Sequence, residues 1–138
     1  MLFRSDPRSV QTAQFRRTHS AQVEFHQWLQ FVITEQLVAA QRAARDAGMP
    51  IGVIHDLAVG VHPEGSDAWA LQDVLARGVS VGAPPDMYNQ MGQDWSQPPW
   101  HPDALARAGY RPYRDMLRTV LRHAGALRID HEIGRAHV

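Results

Sequence analysis

Cysteine is absent from this 138-residue chain. That removes disulfides and thiolate metal sites and fits a reducing compartment. Net charge is absent too, since 14 Lys and Arg balance 14 Asp and Glu. No global basic field therefore recommends nucleic acid or an anionic membrane as partner. No apolar run is long enough to cross a bilayer. Met1 to Gln11 carries Arg4 and Arg8 and lacks the sustained apolar stretch of a signal peptide, so a cytoplasmic protein is the expectation. Eight histidines are present, yet none forms His-x-His or His-x-x-x-His spacing. No metal and no cofactor are expected on that basis.

What remains is 44% hydrophobic, near the globular norm, and long enough for one small domain. Met1 to Arg17 is polar without a clean period and reads as a loose end. From about Ser20 an amphipathic helix follows, with Phe25, Trp28, Leu29, Val32, Leu37, Ala40, Ala44 and Ala47 at three- and four-residue intervals. Gly48 and Pro50 stop it. Ile51 to Val59 reads as a strand with β-branched residues on both faces, the pattern of a parallel strand covered on both sides. Asp56 interrupts it near its C-terminal end. An unpaired buried carboxylate is costly, so this position is read as a strand mouth.

Gly60 to about Trp100 holds no regular period and is punctuated by Pro63, Pro84, Pro85, Pro98 and Pro99. Connections of this length inside a domain are commonly binding or active-site loops. Trp69, Tyr88, Trp95 and Trp100 lie along it; Trp69 and Trp100 are expected to anchor the loop to the body. A short helix over Pro102 to Ala108 ends at Gly109, and a second opens at Pro112 with Tyr113, Met116, Leu117, Val120, Leu121 and Ala124 as its stripe. Gly125 ends that helix and a strand through Arg128 and Asp130 follows. Side chains two apart on a strand share a side, so the cation would sit beside the carboxylate and keep it ionised. Such an Asp at a strand mouth suits nucleophilic attack on a sugar carbon; a surface ion pair is the plainer meaning of the same residues.

Three segments occur in order: Gly52-Val53-Ile54-His55-Asp56-Leu57-Ala58-Val59-Gly60, then Gly82-Ala83-Pro84-Pro85-Asp86-Met87-Tyr88 with Gly92-Gln93-Asp94-Trp95, then Arg128-Ile129-Asp130-His131. Together they resemble the 4-alpha-glucanotransferases (amylomaltases, disproportionating enzymes) of glycoside hydrolase family 77, over about Val23 to His131. The resemblance implies an α/β fold, a slice of a (β/α)₈ TIM barrel with about two parallel strands, flanking helices and a long βα loop. It implies α-1,4-glucans as partners and transfer by a retaining double displacement. Asp130 matches the family nucleophile. Arg128 would orient it, His131 would bond a sugar hydroxyl, and Asp56 would shape the same subsite or anchor the loop. Asp86, Tyr88 and Trp95 match the loop over the acceptor groove.

Two departures follow. Nothing after His131 is long enough to supply a general acid and a further aspartate, so the chain reads as a fragment of the catalytic barrel over residues 1–131. Glu132-Ile133-Gly134-Arg135-Ala136-His137-Val138 leaves the family pattern. GAG-ATC-GGA-AGA-GCA-CAC-GTC read in frame yields those residues and resembles a common short-read sequencing adapter, so residues 132–138 are read as a non-native tail. Two other readings stand beside transfer: an inactive carbohydrate-binding fragment, and a barrel hydrolase using His55, Asp56 and Asp130 around a divalent metal.

Overall fold

The computed structural model describes residues 6–130. Its elements run α1 (Val10–Thr18), α2 (Ser20–Asp46), β1 (Ile54–Asp56), α3 (Ser66–Ala70), β2 (Val81–Ala83), β3 (Gln93–Gln97), α4 (Pro102–Arg107), α5 (Arg111–Leu121) and β4 (Ala126–Arg128). They fall into two units. Among the described residues, one holds the chain up to His55 with Thr119–Arg128; the other holds Asp56–Arg118 with Ile129 and Asp130.

In the first unit α1 corrects the expectation of a loose end before Arg17. It needs no apolar stripe because its ends are satisfied locally. Ser9 is the N-cap, its Oγ accepting from the Thr12 amide at 3.1 Å, while Thr12 Oγ1 donates to the Asp6 carbonyl at 2.9 Å. Arg16 and Arg17 lie in the last turn, where cations complement the helix dipole. His19 breaks the path into α2, and its ring stacks on Phe15 with centroids 3.9 Å apart. α2 itself runs as its periodicity predicts and ends at Gly48, whose φ of +86° suits glycine.

The strand expected over Ile51–Val59 is much shorter. Gly52 has φ +78°, outside strand conformation. The backbone around it bonds to a side chain: Gln41 Nε2 donates to the Ile51 carbonyl at 3.1 Å, and the Val53 amide donates to Gln41 Oε1 at 2.6 Å. A Cβ on Gly52 would lie 2.5 Å from that oxygen. The Val53 carbonyl accepts from the Gly125 amide at 2.9 Å, leading into the two-stranded parallel sheet of β1 and β4. Gly125 is obligatory there, since a Cβ would meet the Ile51 carbonyl oxygen at 1.7 Å. His55 Nδ1 lies 3.2 Å from the Val120 carbonyl, so that nitrogen carries the proton and donates. Ile54 is 54% exposed within this segment.

The second unit holds the buried hydrophobic side chains found among the described residues: Val74, Leu75 and Leu105. Leu75 and Trp100 form an antiparallel bridge, and the flanking amides of Ala76 and His101 donate to Pro99 and Val74 carbonyls, both at 2.8 Å. Trp100 packs edge-on against Tyr113, centroids 6.1 Å apart, so it anchors the loop as expected. Trp69 remains exposed. α4 and α5 match their sequence boundaries closely, with Pro102 at the start of α4 and Gly109 and Tyr110 both in the left-handed region between them.

Large apolar side chains stay in solvent, among them Phe25, Trp28 and Phe31 on α2. Burying such a side chain is worth about 1.5–3 kcal/mol, comparable to a large share of a domain's net stability. Expressed by itself, the 138-residue chain should therefore melt broadly and bind a hydrophobic dye such as ANS. A sharp two-state melt from a soluble monomer without dye binding would contradict this.

Candidate active site

β1 and β4 are hydrogen-bonded parallel neighbours, so their C-terminal ends lie at one edge of that sheet. Asp56 is the last residue of β1 and is exposed. Arg128 is the last residue of β4, also exposed. Asp130 follows two residues later, exposed and beyond the strand. The alternation argument that put Arg128 and Asp130 on one face therefore does not reach Asp130, because the ladder stops first. His131 lies outside the described residues, as does the tail from Glu132.

The expected featureless loop contains a hairpin, the main element that sequence periodicity missed. β2 and β3 pair antiparallel with Val81 opposite Gln97, Gly82 opposite Asp94 and Ala83 opposite Gln93. Adjacent residues on β2 thus face residues three apart on β3, leaving Trp95 and Ser96 as a bulge. Bulges bend a strand and re-aim its side chains. Ser96 has φ +56°, uncommon for a residue with a Cβ. Gly82 is required by the close pairing, since a Cβ would fall 2.0 Å from the Gln93 carbonyl oxygen.

Asp94 is the polar centre of this hairpin. Its Oδ1 accepts from Ser80 Oγ at 2.6 Å and from the Ser96 amide at 2.7 Å. The Ser80 hydroxyl first, and the Ser96 amide second, hold this carboxyl below its ordinary value despite full exposure. With the folded-state value depressed, the clamp is complete above the usual carboxylate range and is lost as pH falls through the lowered value. Trp95 is half-buried and its Nε1 donates to Gln93 Oε1 at 3.0 Å.

The loop between the strands carries the other expected residues. Asp86 Oδ1 accepts from the amides of Tyr88 (2.8 Å) and Asn89 (2.6 Å), an Asx-type turn that shapes the tip. Tyr88 is 90% exposed beside exposed Met87 and Met91. Gly92, at φ +71°, turns the chain back; a Cβ there would sit 2.9 Å from the Ala83 carbonyl oxygen. The structure thus brings Asp86, Tyr88 and Trp95 onto one hairpin. The same unit ties that hairpin to the chain leaving Asp56: the Cα of Gly60 packs on Gln97, and a Cβ would be 2.8 Å from Gln97 Oε1. That oxygen is buried without a hydrogen-bond partner. Asp94, Ser80, Ser96 and Gln97 were missed from sequence. A Gly at position 82 and another at 92 around a Pro-Pro pair were the available hairpin signal. Among the described residues no three His, Asp or Glu side chains converge as a metal-binding group, so the geometry adds nothing to the metal-dependent reading.

Comparison with known proteins gives this geometry its context. The sequence model of the family described as 4-alpha-glucanotransferase, glycoside hydrolase family 77, matches residues 3–137. A 4-alpha-glucanotransferase of Mycobacterium tuberculosis is 60% identical over 128 residues, covering 93% of this chain and 18% of the relative. One from Haemophilus influenzae is 39% identical over 118 residues, 86% of this chain and 17% of the relative. The crystal structure of amylomaltase from Corynebacterium glutamicum superposes with a TM-score of 0.77 at 64% identity, over 80% of this chain and 16% of that one. Amylomaltase from Streptococcus agalactiae, solved in complex with acarbose, shares the fold at TM-score 0.78 and 21% identity, over 90% of this chain and 26% of its own. The chain belongs to the 4-alpha-glucanotransferase family. It spans less than a fifth of the length of either of these two curated relatives.

Gly82→Ala in a full-length enzyme carrying this segment should break the β2–β3 register, at a local cost on the order of 1–3 kcal/mol. Hydrogen exchange read by mass spectrometry should show peptides over residues 93–97 losing protection; unchanged protection would mean the close pairing does not hold in solution.

Proposed function

We propose that this segment belongs to the catalytic (β/α)₈ barrel of a cytoplasmic 4-alpha-glucanotransferase, which moves α-1,4-glucan segments between maltooligosaccharides. The observation that carries the reading is that Asp130 follows β4 by two residues in the chain, and β4 pairs with the strand ending in Asp56, in a chain 60% identical to a named 4-alpha-glucanotransferase. In parallel barrels the chemistry collects at such strand ends. The acarbose complex of a structural relative supports α-glucans as the ligand class. No helix among the described residues is long and apolar enough to cross a membrane.

The chemistry runs in two displacements. Asp130 attacks the anomeric carbon of a bound glucan, forming a glycosyl ester as the bond to the leaving 4-oxygen breaks. A carboxyl from elsewhere in the full enzyme protonates that oxygen. The 4-hydroxyl of an acceptor glucan then attacks the same carbon, returns its proton to that carboxylate, and releases Asp130. Two inversions retain the anomeric configuration. Arg128 aligns Asp130, His131 and Asp56 bind the sugar at the cleavage point, and Asp86, Tyr88 and Trp95 form the acceptor-side lid. Transfer rather than hydrolysis requires that lid to seat a sugar and keep water out.

Asp130→Asn in the full-length enzyme should leave folding intact and reduce disproportionation of maltotriose by several orders of magnitude. Near-normal turnover sinks the assignment. Arg128→Ala should lower kcat more than it raises KM, since alignment of the nucleophile acts in the chemical step. A change confined to KM would make Arg128 a binding residue instead.

A further inference from the structure

The bulge in β3 poses a problem of backbone chemistry. At Trp95 and Ser96 the ladder with β2 is interrupted, and Ser96 stands at φ +56°. An amide released from a ladder must find another acceptor, or the strand slides back into register. Asp94 Oδ1 provides that acceptor, and the same oxygen takes the hydroxyl of Ser80, the residue before β2. One atom thus joins the entrance of the hairpin to the far side of its bulge. Trp95 is the residue enclosed between the two bonded positions, and its indole is further fixed on Gln93 Oε1.

We propose that Asp94 is a positioning residue for acceptor selection: by stapling the two-residue bulge it fixes the direction of Trp95, and so sets the ratio of glucan transfer to hydrolysis. The inference rests on the reading above that Trp95 belongs to the acceptor side. Asp94 touches neither the sugar nor the reacting atoms. Its carboxylate acts through geometry, and what is required of it is one oxygen able to accept two hydrogen bonds. Asparagine supplies such an oxygen; alanine does not. Ser80→Ala removes one of the two donors and leaves the Ser96 bond, so its effect is intermediate.

The test uses the full-length enzyme that carries this segment, with maltotriose as donor and acceptor. Glucose release by hydrolysis and oligosaccharide redistribution by transfer are measured together, alongside melting temperature. Asp94→Ala should raise hydrolysis relative to transfer roughly three- to tenfold, with KM for maltotriose in the transfer reaction rising more than kcat falls, as expected when a binding side chain is misplaced rather than removed. Asp94→Asn should restore the ratio to within about twofold, and Trp95→Ala should reproduce the Asp94→Ala shift, since both remove the same contact. An unchanged ratio in Asp94→Ala, or equal loss of both activities with a lower melting temperature, overturns the staple. So does an Asp94→Asn variant as impaired as Asp94→Ala. If Trp95→Ala shifts the ratio while Asp94→Ala does not, only the staple fails. If Trp95→Ala itself leaves the ratio unchanged, the acceptor-side reading fails and the staple with it.

Discussion

The backbone of Val53 is the constraint on which the strand ends depend. Its amide is held by the Gln41 side chain of α2 and its carbonyl by the Gly125 amide just before β4. A helix and a strand distant in sequence are therefore fastened to one residue, one step before β1 begins. From that point three residues of ladder carry the chain to Asp56, and the paired three carry it to Arg128. Strands this short cannot fix their own register through many bonds. The register comes from Gln41, which stands in for a neighbouring strand, and from two glycines that allow the backbones to approach.

The hairpin uses the same device on a smaller scale. A side-chain carboxylate replaces lost ladder bonds at the β3 bulge, and another, Asp86, replaces them at the tip turn. Both are exposed, so neither gains much from burial; their value lies in satisfying amides that have left regular structure. The close packing of Gly60 on Gln97 then relates the hairpin to the chain that leaves Asp56. Local polar bonds thus shape the hairpin wherever its backbone leaves the ladder.

What could be read from sequence divides along physical lines. α2, α4 and α5 were legible because apolar periodicity and Gly or Pro punctuation mark them directly. α1 was not, because it is held by the Ser9 and Thr12 hydroxyls rather than by an apolar face. The β1 strand was overextended because Ile51 and Val53 look like strand residues, while their bonds go to a glutamine side chain. The hairpin was invisible to periodicity: β2 has three residues, and β3 is broken by its bulge before alternation can register. Candidate site residues are legible by a different route from elements. Asp56, Asp86, Tyr88, Trp95, Arg128 and Asp130 stood out through motif resemblance, whereas Asp94, between Gln93 and Trp95, carries no sign in composition of the two bonds it accepts.

The Gly125 contact with Ile51 bears on how variants of such enzymes are interpreted. A methyl group at position 125 would intrude within bonding distance of a carbonyl oxygen and pry β4 from β1. In a saturation screen scored by activity, replacements at this glycine would fall into the class proposed above for replacements of Asp130. Ranking positions by intolerance would then nominate a residue with no side chain as though it took part in the chemistry. A parallel screen scored by abundance separates the two, because the glycine governs whether the strand end is built, whereas the role proposed for the aspartate lies in what the built end does.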